Sequence, residues 1–473
     1  MKILVLNGSP KGNYSITLHT VLYLQQLFPK HSFEILNVGQ KIKTLEKDFT
    51  PALRMLEDAD LLLFSYPVYT FIAPSQLHRF IELVKNSGIS LKGKYATQLS
   101  TSKHFYDVTA HRYIEDNCYD LGLKYIRGLS ADMEDLTKEK GRKEARDFFR
   151  FVLWSIKHDR YEAFPDPMPA PACIPVQIPE AGDASKTGDV VIITDCEESD
   201  KQLADMIRRF RTVLPYKTRI FNLREYPFNA GCLGCFKCAV SGTCVHKDNF
   251  DQYLRTNIQT AQAIVCAFRI KDHSMGALFK LYDDRQFCNG HRTVTMGMPM
   301  GYLVSGNYSK EANLRMIIEG RAQLGSNFLA GVATDETDPN REIDKMAASL
   351  AYALKHNYVP PQNFYGVGGM KIFRDLIWIM QGMMKADHKF YKAHKQYDFP
   401  QKQWPQMIAM HAVGAMLGSP ELLKKMGNKM NEGMVARTRK SWMMLLKNGS
   451  NNKTRKVEIF SPLRVSLLII LIH

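Results

Sequence analysis

Lys2-Ile3-Leu4-Val5-Leu6-Asn7-Gly8-Ser9-Pro10-Lys11-Gly12-Asn13-Tyr14-Ser15-Ile16-Thr17 is the stretch that decides the fold. The apolar run Ile3 to Leu6 reads as a buried strand, Gly8, Pro10 and Gly12 break it, and the pattern from Ile16 to Leu27 reads as a helix. A strand that turns straight into a helix gathers backbone N–H groups, the hydroxyls of Ser9, Ser15 and Thr17 and a positive helix end around one spot. Lys11 adds a charge. Such a turn holds a dianionic phosphate in place of water; the plain alternative is an ordinary βα turn capped by hydroxyls. Neither Gly-x4-Gly-Lys-Ser/Thr nor Gly-x-Gly-x2-Gly fits this turn, which excludes two familiar nucleotide loops there.

Working outward, apolar runs at Lys2 to Asn7, Ser32 to Val38, Leu61 to Ser65 and Tyr95 to Ser100 alternate with helical patterns at Ile16 to Leu27 and Ser75 to Val84. That alternation predicts βαβ units, a parallel sheet and an α/β class. Ligands of such open sheets sit beyond the C-terminal strand ends, at the switch point. Two further loops meet the first there: Ser65-Tyr66-Pro67-Val68-Tyr69-Thr70-Phe71 and Ser100-Thr101-Ser102-Lys103-His104. Pro67 is expected to free the chain from the ladder. Amides near Val68 to Thr70 are expected to hydrogen-bond a flat heterocycle, and the Tyr69 ring to stack on it.

Six prolines between Phe164 and Glu180 read as a linker. Beyond it the plan restarts: Val190 to Thr194, Arg219 to Leu223 and Ala263 to Phe268 as strands, Lys201 to Leu214 as a helix. Ala59 to Phe80 aligns with Ala261 to Tyr282 at an offset of 202, a weak internal repeat that predicts a tandem pair of one fold. The expected domains are residues 1–160, a linker 161–188, a degenerate copy 189–338 and a basic helical region 339–473. In that last region, Lys371 to Lys385 predicts an amphipathic helix with Lys371, Arg374, Asp375, Gln381 and Lys385 on one face and Ile372, Phe373, Leu376, Ile377, Ile379, Met380, Met383 and Met384 on the other. The helix is expected to pack on its own protein, with a membrane-surface or partner helix as the alternative.

The residues Gly8-Ser9-Pro10-Lys11 with Ser15 and Thr17, then Pro67-Val68-Tyr69 followed by Leu77 and Phe80, resemble those of the NADPH-dependent FMN reductase and iron-sulfur flavoprotein families. The resemblance spans roughly residues 1–335. It implies two tandem flavodoxin-like, doubly wound parallel-sheet domains. It also implies that Ser9, Lys11, Ser15 and Thr17 hold FMN phosphate while Pro67, Val68 and Tyr69 touch the isoalloxazine; Thr70, Thr101 and Ser102, in the loops that meet at that edge, complete the expected cofactor site. The second half departs from the pattern. Its first loop is Asp195-Cys196-Glu197-Glu198-Ser199-Asp200, whose acids repel phosphate, and Arg269-Ile270-Lys271 replaces Pro67-Val68-Tyr69. One FMN per chain is the expectation.

Cys232, Cys235, Cys238 and Cys244 follow C-x2-C-x2-C-x5-C spacing, which bends a short loop so that several thiolates converge. This suits a 4Fe-4S cluster; redox-active thiols remain an alternative, and zinc, which usually takes pairs from separated knuckles, fits less well. The pattern is also that of iron-sulfur flavoproteins. His104, His273 and His291 lie near expected strand ends and are weaker candidates for substrate contact.

The chain of 473 residues has nine cysteines in all, an odd number, and no basic, apolar export segment after Met1, so a disulfide framework is not expected and the cytoplasm is. The late apolar run Val465 to Ile472 is too short to span a bilayer. From Asn340 onward 21 Lys and Arg face 8 Asp and Glu, a net +13 of the total +16. This reads as a solvated basic surface or as attraction to an anionic partner. A redox protein and at most peripheral membrane contact are the partners expected, and nucleic acid is not. The function expected is an oxidoreductase passing electrons from NAD(P)H or an iron-sulfur carrier through FMN to a small acceptor, a quinone or a flavin. An electron-transfer iron-sulfur flavoprotein without a dedicated substrate and a non-enzymatic redox or metal sensor stand as alternatives.

Overall fold

The computed structural model describes residues 1–170, 172–180, 185–417 and 419–421. Six strands build a first sheet: β1 (Lys2–Asn7), β2 (Ser32–Leu36), β3 (Leu61–Pro67), β4 (Tyr95–Ser102), β5 (Lys124–Tyr125) and β6 (Leu129–Asp132). They pair in parallel in the order β2-β1-β3-β4-β5, with β6 also on β4. Side chains alternate across a strand. Leu4 and Leu6 therefore join Leu62, Phe64 and Phe80 on one buried face, and Ile3 and Val5 join Leu61, Leu63 and Phe149 on the other. Helices covering both faces explain why these strands read as unbroken apolar runs.

The second sheet repeats the plan with β7 (Thr187–Thr194), β8 (Tyr216–Asn222), β9 (Ala263–Arg269), β10 (Met300–Ser305) and β11 (Leu329–Thr334), ordered β8-β7-β9-β10-β11. Counted within each half, both sheets run 2-1-3-4-5, the order of the flavodoxin-like doubly wound fold. β9 begins and ends 202 residues after β3, the offset of the internal repeat. Helix Ser75–Ser87 packs against its counterpart Gly276–Arg285, so the halves meet through equivalent elements.

The Pro-rich stretch is tied down rather than free. Ile174 N–H donates to Asp335 O at 2.9 Å, Gln177 N–H to Asn340 Oδ1 at 2.9 Å, and the Asn307 amide to Pro169 O. It thereby runs past the loops at the C-terminal ends of β10 and β11.

The region after Asn340 is not uniform. Helix Pro339–His356 packs on β11 and on helix Lys201–Val213 and so completes the second α/β half. Residues 1–394 form one compact unit and 395–473 another, which contains a helix at Trp404–Leu417. The helix expected over Lys371 to Lys385 instead spans Phe364–Ile379, stops, and resumes as Lys385–Ala393. Its expected faces also fail: Arg374 is buried and Ile379 is 81% exposed. Close approach rather than apolarity selects the inner face, because Gly366 and Gly369 lie where a Cβ would press on Gln323 and Leu324. The run Val465 to Ile472 lies outside the described residues. No described helix is long and apolar enough to cross a membrane.

Candidate functional site

The first βα turn is built as the sequence suggests. Asn7 Nδ2 donates to Gly12 O at 3.1 Å, Ser9 N–H to Asn7 Oδ1 at 3.2 Å, and Ser15 Oγ caps the helix by accepting from Leu18 N–H at 3.4 Å. The amides of Ile16 and Thr17, which open that helix, have no acceptor within it. Ser9, Ser15 and Thr17 are buried. Among the expected contacts of the second loop, two amides are already committed: Val68 N–H donates to Thr101 O at 3.1 Å and Tyr69 N–H to Ile72 O at 2.8 Å. Pro67 does not leave the sheet either, since it stays in register opposite Thr101.

The turn that follows is strained. Thr70 has φ +42° and Phe71 φ +76°, a left-handed backbone that β-branched and bulky residues avoid. Each such residue costs on the order of 1–3 kcal/mol and persists only when its surroundings over-determine it. Here the second half supplies those surroundings. Lys280 Nζ donates to Tyr69 O at 3.0 Å and to Thr70 Oγ1 at 2.6 Å, and Arg321 donates to Thr70 O at 2.9 Å and to Asp283 Oδ2 at 2.7 Å. Lys280, Asp283 and Asp284 are buried there together. Burial raises the Asp284 carboxyl, whereas Arg321 and Lys280 outweigh burial at Asp283 and hold its carboxyl down.

All the expected flavin residues, Ser9, Lys11, Ser15, Thr17, Pro67 to Thr70, Thr101 and Ser102, line one cavity of about 490 Å³. Cys232, Cys235, Cys238 and Cys244 line the same cavity. Of the three candidate histidines, His291 is in its wall, where His246 also stands; His104 and His273 are not. His273 instead bridges Asp120 at 3.0 Å and Glu311 at 2.9 Å. Two residues went unnoticed in the sequence: Arg285, which is buried and pairs both Nη atoms with Asp248 at 2.7 Å, and Arg292, which with the candidate His291 bonds Asp387; Ile372, Phe373, Leu376 and Met380, from the helix face expected to pack on its own protein, form the roof. The run Asp283-Asp284-Arg285 inside an otherwise buried helix was the available signal for the first of these.

The equivalent corner of the second half is filled by its own charges. Lys271, at the place of Tyr69, donates to Asp195 at 2.9 Å, and Arg269, at the place of Pro67, holds Asp200 through two bonds of 2.8 and 2.7 Å. Burial raises the Asp195 carboxyl, and Lys271 opposes it.

Residues 1–114 match the family model of the NADPH-dependent FMN reductases. This part of the chain is FMN-reductase-like. Similar solved structures include a putative quinone reductase from Klebsiella pneumoniae (13% identity, 34% of this chain and 86% of that one, TM-score 0.26). Others are an NAD(P)H:quinone oxidoreductase from Methanothermobacter marburgensis (14%, 34% and 98%, 0.27) and an FMN-dependent NADH-azoreductase from Bacillus anthracis in complex with FMN (14%, 32% and 99%, 0.26). Among curated proteins nothing matches.

The residues of the FMN-reductase-like half fit a flavin mononucleotide. Thr101 Oγ1 is buried in the cavity wall without a hydrogen-bond partner, an orphan that a polar ligand atom would satisfy. Among the lining residues Arg285, Arg292, Arg321 and Lys103 are paired with Asp248, Asp387, Asp283 and Asp132, while Lys11 faces the cavity beside the phosphate turn. Such a cavity favours an anionic ligand.

The cysteine loop fits a metal cluster less well. No group of three or more His, Cys, Asp or Glu side chains among the described residues is placed to hold a metal ion, so the expected convergence of four thiolates is not found. Backbone anchoring explains the spread. Arg285 holds Ala230 O at 2.8 Å, Arg255 holds Gly242 O at 2.6 Å, Arg292 reaches Cys238 O at 3.3 Å, and Cys244 N–H donates to Asp251 at 3.0 Å.

Proposed function

We propose that this chain is an FMN-dependent oxidoreductase that takes electrons from NAD(P)H and passes them to a flat, apolar acceptor such as a quinone or a flavin. The observation that carries the reading is the meeting, at one electropositive cavity, of the Ser9-Lys11-Ser15-Thr17 turn with the Tyr69 turn, within the stretch that matches the FMN reductase model. Ser9, Ser15 and Thr17 would bond the phosphate and Lys11 would neutralise it. Thr101 and Ser102 would bond the polar edge of the ring, and Tyr69 would pack against it. The flavin, when bound, supplies two-electron transfer chemistry; the protein supplies placement and electrostatics.

The acceptor class follows from the opposite wall, where Met275, Met296, Met298 and Met300 give an apolar, adaptable surface beneath the Ile372-Phe373-Leu376 roof. Arg321 and Arg292 line the same cavity, each already paired with a carboxylate, Asp283 and Asp387. Purified protein reconstituted with FMN and assayed anaerobically with NADPH and a quinone tests the reading. Steady quinone reduction that disappears in the double variant Ser9→Asp, Lys11→Glu supports it; tight FMN binding with no nicotinamide oxidation would leave an electron carrier rather than this enzyme.

A further inference from the structure

Six cysteines line the cavity, four from the loop after β8 together with Cys266 and Cys288, and the absence of a gathered metal-binding set among the described residues leaves their chemistry open. Two of them stand apart by position. Gly234 sits so close to the Tyr69 hydroxyl that no Cβ would fit, and its φ of +60° folds the chain back between Cys232 and Cys235. The Gly234 N–H donates to Cys232 Sγ at 3.4 Å, which fixes that sulfur on the inside of the turn. Gln76 of the FMN-reductase-like half pins Cys232 O at 3.3 Å. Both thiols lie near enough to the Tyr69 phenol for their charge, after burial, to raise it further. Cys238 and Cys244 neighbour Cys288 and the Arg255–Asp251 pair, and Cys238 also lies near Cys232 and Cys235.

Cys235 is exposed, whereas burial pushes the Cys232 thiol up. One sulfur can therefore meet a partner from solvent while the other is held at the pocket wall, where its raised thiol must ionise before it acts as the resolving nucleophile. This asymmetry is what a two-cysteine relay requires, because a thiolate must attack from outside and a second thiol must resolve the mixed disulfide.

We infer that Cys232 and Cys235 form a dithiol–disulfide couple that carries two electrons between the flavin pocket and an external disulfide. The inference rests on the flavin reading above. In the reductive step the Cys232–Cys235 S–S bond breaks, the reduced flavin gives up two electrons and two protons, and two thiols form. In the second step Cys235 attacks the external disulfide, Cys232 displaces the mixed disulfide, the internal S–S bond re-forms and two external thiols leave.

Two measurements on the full chain test it. Air-oxidised protein alkylated without reductant and cut into peptides is expected to yield a Cys232–Cys235 linkage. Anaerobic titration of the FMN-loaded protein with dithionite is expected to consume two electron equivalents for flavin and two more for the disulfide; Cys235→Ser halves the total, and Cys244→Ser does not. Two equivalents in the unaltered protein, an unchanged total in Cys235→Ser, or stoichiometric iron in anaerobic preparations would overturn the couple. If no flavin binds, the function proposed above falls, and the peptide linkage alone then decides the couple: its presence upholds the pair and its absence ends it.

Discussion

Thr70 Oγ1 lies 2.7 Å from Asp283 Oδ2 and 3.0 Å from Asp284 Oδ1, a contact spanning 213 residues of sequence that locks a strained turn of one α/β half to a buried helix of the other. Asp284 reaches further and accepts the Ser75 N–H at 2.7 Å, so the same carboxylate fixes the turn and the start of the interface helix. The proposed flavin pocket is therefore finished by residues of the other α/β half.

Thr70→Ala deletes the side-chain bonds and keeps the strained backbone. We expect it to lower unfolding free energy by about 1–3 kcal/mol, the cost of leaving a buried polar partner unsatisfied, and to weaken FMN binding. Thr70→Gly should recover part of the stability because φ +42° costs glycine little. Urea unfolding and flavin fluorescence titration check both; a neutral Thr70→Ala would show that the turn does not need this anchor.

Much of this was legible beforehand. The 202-residue offset of Leu61–Pro67 and Ala263–Arg269, the helix Ile16–Leu27 and the gathering of three loops at one sheet edge follow from periodicity and turn residues, which are local. The pairing of Thr70 with Asp283, the use of the Val68 amide by Thr101 and the buried state of Arg374 were not, because each depends on which distant backbone comes near. Spacing alone placed the four cysteines in one loop. It did not reveal that three arginines hold that loop by its carbonyls.

Charge reversal should separate the two halves. Ser9→Asp with Lys11→Glu puts carboxylates where phosphate would sit and should abolish FMN binding, whereas Lys271→Ala, which frees Asp195 in the second half, should leave stoichiometry at one FMN per chain. Absorbance of the released flavin against protein concentration measures this. FMN bound by the double variant, or a second equivalent in Lys271→Ala, would show that the acids of the second half do not exclude phosphate.

Stability should depend on pH through His273. Burial lowers its pKa, but the hydrogen bonds it donates to Asp120 and Glu311 outweigh that and raise it from 6.5 to about 10; burial raises Asp120, but the His273 and Lys85 contacts bring it from 3.8 to about 2. A raised histidine contributes fully below its unfolded value and loses the contribution as pH rises towards the folded one. The stability gap between the native protein and His273→Gln should therefore be large near pH 6 and should shrink by pH 10. Urea midpoints at the two values provide the check, and a gap that widens with pH would contradict the bridge.

The roof of the cavity offers the last test. Asp387 is buried, accepts the His291 N–H at 3.1 Å and an Arg292 bond at 3.0 Å, and presses against Gly290, whose φ is +61°. It belongs to helix Lys385–Ala393, which follows the roof helix Phe364–Ile379 after a short break. Gly290→Ala would strain the backbone and drive a methyl into the Asp387 carboxylate, while Asp387→Ala would leave Arg292 without its buried partner, a loss of roughly 3–5 kcal/mol for a broken buried pair. Gly290, His291 and Arg292 line the cavity, and none of them belongs to the phosphate turn. We therefore expect FMN affinity to change little and quinone KM to rise, with faster deuterium exchange in residues 364–393. Equal loss of FMN and quinone binding would mean that the roof supports the whole pocket rather than the acceptor side.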